Sequence, residues 1–116
     1  MKPTHLHVCG QNTDVKVFVT ETTSERMRGL LGRDRLPLDE ALLLKRCRSI
    51  HTFGMGFTID VLFLDRHERI VAIHRDVPRR RMLLNLRATQ TLEMSGGAAR
   101  LYGLWVGAYL AFEATS

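Results

Sequence analysis

A mainly β single domain, a small sandwich or barrel of six to seven strands with one or two short helices, is the fold this sequence predicts. Three observations carry that expectation. Val15, Val17 and Val19 alternate with Lys16, Phe18 and Thr20, the period of two that a half-buried strand shows. Residues 57–64 (FTIDVLFL) are mostly apolar on both alternating faces, as a central strand requires. The 116 residues, 45% hydrophobic and 25% charged, suffice for one buried core and not for two.

Residues 1–13 are polar with little periodicity and read as a loose leader, ahead of one domain over residues 14–113 and a tail at 114–116. After the valine-rich strand, Thr22 followed by Glu25 has the spacing of a capping box. Met27, Leu30 and Leu31 then share a helical stripe that Gly32 closes, which predicts a short helix over residues 23–31. Pro37 breaks the chain, and "EALLLKRCR" offers the next strand. In the run over residues 57–64, Phe57, Ile59, Val61 and Phe63 point one way and Thr58, Asp60, Leu62 and Leu64 the other. "DRHER" turns that run into "IVAIHRDV", a hairpin whose loop of four or five residues lacks the Asn-Gly or Asp-Gly pair of the tightest turns. Pro78 ends the hairpin, and "RRRMLLNLRA" follows as a basic connector. "TQTLEM" is a further strand, "GGAARLYG" a short helix stopped by Gly103, and "YLAFE" the last strand.

The order of "ERMRGLLGR", "HTFGMGFTIDVLFLD", a hairpin, "TLEMSGGAARLYGLWVG" and a final strand resembles the domain of unknown function 192 (DUF192) family of small bacterial and archaeal proteins, over residues 15–112. The resemblance implies a compact, mainly β sandwich or barrel with a short helix after the first strand. It implies no activity, cofactor or catalytic residue. The sequence departs from the family pattern at Gly56, where a lysine or arginine is usual, at Ala108, where an aspartate is usual, and at Ser95 and Gly96, where proline or alanine is common.

Composition narrows the functional classes. The longest apolar runs fall far short of the roughly 20 residues of a membrane helix, so no membrane span is expected. Lys2 and Cys9 lack the apolar stretch of an export signal between them, which points to a cytoplasmic protein. Cys9 and Cys47 form neither a disulfide framework nor a zinc pattern and read as free thiols. His51, His67 and His74 have no ligand spacing, so neither metal nor cofactor is expected. The net charge of +5 rests on 14 arginines against three lysines, which leaves an anionic partner open.

The leading functional reading is a small non-catalytic binding or accessory module that contacts a protein or a small ligand. In "HTFGMGFTID", Gly54 and Gly56 let the backbone bend, Met55 fills an irregular gap or meets a ligand, and Asp60 is paired with backbone or with Arg26 or Arg28 on the preceding helix. Arg26 and Gly29 join Gly54, Gly56 and Asp60 as structural positions. The enzyme alternative is a hydrolase-like pair, His51 as base and Asp60 as its orienting carboxylate. Nine residues of extended chain span on the order of 30 Å, so the two meet only if the glycine segment folds back. The polyanion alternative is the run Arg79, Arg80 and Arg81; without interleaved aromatics or a recognition motif, nucleic acid is disfavoured. Trp105 is expected as a core anchor, or, if exposed, as the first candidate for a protein interface.

Overall fold

The computed structural model describes residues 2–114. In chain order its elements are β1 (Lys2–Val8), β2 (Gln11–Val19), α1 (Thr23–Arg28), β3 (Glu40–Lys45), β4 (Ser49–His51), β5 (Ile59–Leu64), β6 (Ile70–Val77), β7 (Met82–Leu84), β8 (Gln90–Ser95), α2 (Ala98–Leu101) and β9 (Leu110–Ala114). The fold is mainly β. Seven strands form one mixed sheet in the order β6-β5-β8-β3-β2-β1-β9, and β4 and β7 form a separate two-stranded ribbon.

The sheet curls without closing into a barrel. Its two outer strands approach at one corner, where Ile70 N–H donates to the Ala108 carbonyl at 2.9 Å and Leu110 N–H to that of Glu68 at 2.9 Å. Only the β2–β3 pairing is parallel. The crossover between those strands contains α1, and it brings the helix over one face of the sheet.

Because alternate residues of a strand face opposite ways, the internal strands divide the core in two. Leu62 and Leu64 of β5 pack with Leu92 and Met94 of β8, with Leu6, Val15 and Val17, and with Ala98 and Ala99 of α2. Ile59, Val61 and Phe63 pack on the other face with Leu42, Leu44, Leu30, Leu36 and Met55, under Ile50 and Leu83 of the ribbon. The two-faced reading of this strand matches the structure, as does the hairpin between Ile59–Leu64 and Ile70–Val77.

Three expectations are corrected. The first residues are not a loose leader: β1 lies between β2 and β9 and buries Thr4, Leu6 and Val8 at every second position. The helix after β2 stops at Gly29 rather than running to residue 31, because Gly29 adopts φ +49° and its N–H caps back to the Glu25 carbonyl. The basic connector contains β7, whose Leu83 turns inward while Met82 and Leu84 remain exposed.

Candidate functional site

The face of the sheet beneath α1 is not fully covered. Between the end of α1, the loop after β3 and the β4–β7 ribbon lies a cleft of about 270 Å³. Its walls come from Leu30, Leu31, Leu44, Ile50 and Met55, and its polar lining includes Arg26, Arg28, Arg46, His51 and Glu93. The capping box at Thr22 starts the helix, with Glu25 N–H donating to Thr22 Oγ1 at 3.1 Å and Thr22 N–H to Glu25 Oε1 at 3.2 Å. Register sets the other wall: Ile50 opposes Leu83, which turns the apolar side of the ribbon toward the core.

Glu93 is the unusual member. It stands in the middle of β8, opposite Leu42 of β3 and Val61 of β5, and is only 4% exposed. Its Oε1 meets no protein hydrogen-bond donor among the described residues. Burial pushes the carboxyl up to about 7, because loss of water disfavours its charged form. Gly29 lies over it: a Cβ at that position would stand 3.4 Å from Glu93 Oε1. The site is thus an apolar cleft with one unsatisfied carboxyl oxygen inside and arginine side chains around it.

The residues singled out in the sequence separate into different places. His51 lines the cleft, exposed, with its ring 6.0 Å from that of Phe53. Asp60 does not join it. It pairs with Met94 on the opposite face of the sheet, fully buried, and its two carboxylate oxygens accept from the N–H groups of Asp76 at 2.8 Å and Ala99 at 2.9 Å. The expected partners Arg26 and Arg28 belong to the cleft instead, and Arg26 Nη2 donates to Thr23 Oγ1 at 3.0 Å. A base–carboxylate pair of His51 and Asp60 is therefore not assembled.

Met55 is buried at the cleft wall, where Gly54, with φ +81°, turns the chain inward and the Met55 N–H donates to the Thr52 carbonyl at 3.1 Å. Gly56 passes close to other backbone: a Cβ there would stand 3.4 Å from the Arg33 carbonyl oxygen. Arg79, Arg80 and Arg81 are exposed in the turn between β6 and β7, outside the cleft. Trp105 is 51% exposed and so is not a core anchor; it stands with Leu101, Val106 and Tyr109 among the exposed apolar side chains. Cys9 and Cys47 are free thiols, and Cys47 Sγ donates to the Ser49 carbonyl at 3.1 Å beside the cleft. Among the described residues, no group of three or more His, Cys, Asp and Glu side chains is placed to hold a metal ion, and no helix is long and apolar enough to cross a membrane.

Comparison with known proteins places the fold. The family model DUF192, described as Uncharacterized ACR, matches residues 5–112. The chain belongs to the DUF192 family. No curated protein matches it. A crystal structure from Sinorhizobium meliloti, described as that of a proposed transcription regulator, is similar at 19% identity with a TM-score of 0.85, covering 95% of this chain and 93% of that one. A protein of unknown function from Novosphingobium aromaticivorans is similar at 18% identity with a TM-score of 0.81, covering 94% of this chain and 83% of that one. Both likenesses show the fold alone.

In this DUF192 chain, sequence reading missed Glu93, Arg46 and Leu30 as neighbours. A signal for Glu93 was present: an acidic residue inside "TLEM" raises the same question that Asp60 raised inside "TIDVLFL".

Proposed function

We propose that this DUF192 chain is a small non-catalytic binding module whose cleft takes a small ligand against Glu93. The unsatisfied Glu93 Oε1 supports this reading above anything else. A buried polar atom left without a partner costs about 1–3 kcal/mol, a cost that a bound donor would offset. A glutamine or leucine at position 93 would avoid the charge altogether. A cleft of about 270 Å³ lies near the lower end of the roughly 300–1,000 Å³ usual for drug-sized ligands, which favours a metabolite-sized molecule over a large cofactor. The arginine turn and the Trp105 surface offer exposed side chains without such an orphaned group, so polyanion and protein partners are subordinate readings.

The test is an amide-resolved titration of the isotopically labelled full chain with a library of small metabolites. Shifts are expected to concentrate on residues 26–31, 44–51, 55 and 93. Shifts confined to Arg79, Arg80 and Arg81 or to Trp105, or none with any library member, would overturn the reading.

A further inference from the structure

The charges around the cleft are arranged asymmetrically, and that asymmetry restricts what can enter. Arg26, Arg28 and Arg46 line it together with His51, and among the described residues Glu93 is the only acidic one in its lining. The three arginines are permanently cationic, whereas the one carboxyl is enclosed among apolar side chains of β3 and β5. A simple amine would satisfy the carboxyl but must pass and then sit beside the arginines. A simple carboxylate would suit the arginines but offers Glu93 no donor. A wholly apolar ligand would leave Oε1 as it stands, buried and unpaired.

We propose that the ligand class is a small amphoteric acid, an amino- or hydroxy-carboxylate with a short apolar middle, bound with its amine or hydroxyl toward Glu93 and its carboxylate toward Arg26, Arg28 and Arg46. This rests on the reading of the cleft as a ligand site. The apolar middle would lie against Leu30, Leu44, Ile50 and Met55, which supply the walls between the two polar ends. Gly29 contributes by omission, since a side chain there would project at the Glu93 carboxyl. Glu93 can serve either donor: as a carboxylate it pairs with an ammonium, and as a neutral acid it still accepts from a hydroxyl through its carbonyl oxygen.

Four probes of matched length separate the possibilities: δ-aminovalerate, δ-hydroxyvalerate, valerate and pentylamine, each titrated into the labelled full chain near neutral pH. The two-ended acids are expected to bind at least about tenfold more tightly than either single-ended probe, the gain of one charge-assisted hydrogen bond. Glu93→Gln is expected to weaken δ-aminovalerate about tenfold while sparing δ-hydroxyvalerate, because the amide keeps an acceptor and loses the charge. A doubly substituted Arg28→Ala, Arg46→Ala chain is expected to lose the preference for acids.

Valerate binding in the cleft as tightly as δ-aminovalerate would overturn the amphoteric class while leaving the cleft as a ligand site. Pentylamine binding most tightly would do the same. If all four probes and the wider metabolite library leave the cleft amides unmoved, the ligand-site reading itself falls.

Discussion

Glu93 and Asp60 are both acidic residues on internal strands, yet opposite faces of the sheet give them different physics. Asp60 is held by two backbone N–H groups, one from the edge strand β6 and one from α2. It ties the hairpin to the helix that follows β8. Asp60→Ala would leave both donors without their partner, and at about 1–3 kcal/mol for each group a loss of roughly 2–6 kcal/mol is expected by urea unfolding. A change below about 0.5 kcal/mol would mean that water or rearranged backbone replaces the carboxylate without difficulty. Glu93 shows the reverse balance. Its carboxyl rises from an ordinary 4.5 to about 7 on folding, so the native state holds a proton that the unfolded chain releases first. Its contribution to stability is therefore fully present below about 4.5, declines as pH rises through the interval, and is lost above about 7. The change amounts to roughly 3 kcal/mol. Glu93→Gln removes this titration, so the variant should gain stability over the wild type as pH rises from 4.5 to 7. His51 and the three arginines line the same cleft, so the comparison is the difference between the two chains across the pH series. Parallel stability curves would show that Glu93 is ionised and accommodated in the folded chain.

The elements differ in how much of their stability is their own. Residues Thr23–Arg28 of α1 bury no side chain, and six residues lie well below the length of about 12–15 at which an isolated helix becomes even marginally stable. Its cap and the burial of Leu30 just beyond it hold it in place. Thr22→Ala should cost about 1 kcal/mol and speed amide hydrogen exchange through residues 23–31, the segment that walls the cleft. Unchanged exchange there would assign the wall to Leu30 packing alone. The cap was legible because it is local: a threonine and a glutamate three positions apart carry their own geometry. The strand over Ile59–Leu64 was legible for a similar reason, since six consecutive buried residues leave no other reading of its two apolar faces. The short ribbon was not. "SIH" and "MLL" are three residues each, and their inward pair, Ile50 and Leu83, is defined only by pairing across more than 30 positions of sequence. The cleft was illegible for the same reason: Gly29, Arg46, Ile50 and Glu93 come together only when the parallel crossover, the ribbon and β8 are all in place.

At the scale of the whole molecule, β1 determines whether one side of the sheet exists. The sequence disguises it, because Pro3, His5 and His7 interrupt the apolar pattern and Thr4 stands at an inward position where a valine would have announced a strand. Yet the strand order puts β1 between β2 and β9, so β9 reaches the rest of the sheet through β1 along its length and otherwise only at the corner near Glu68. Removing residues 1–8 would take away two ladders at once. It would also expose the cavity left by Leu6 and Val8, each worth about 1.5–3 kcal/mol of burial. Against a total stability of about 5–15 kcal/mol for a domain, that loss should abolish cooperative folding. The truncated chain is expected to lose amide dispersion across both faces of the sheet, in the cleft as well as beside β9, because β3 and β5 contribute to both core clusters. A dispersed spectrum retained by the truncated chain, with a sigmoidal melt, would show instead that β6, β5, β8, β3 and β2 fold without it. The first strand would then be an addition to the sheet on which the cleft does not depend.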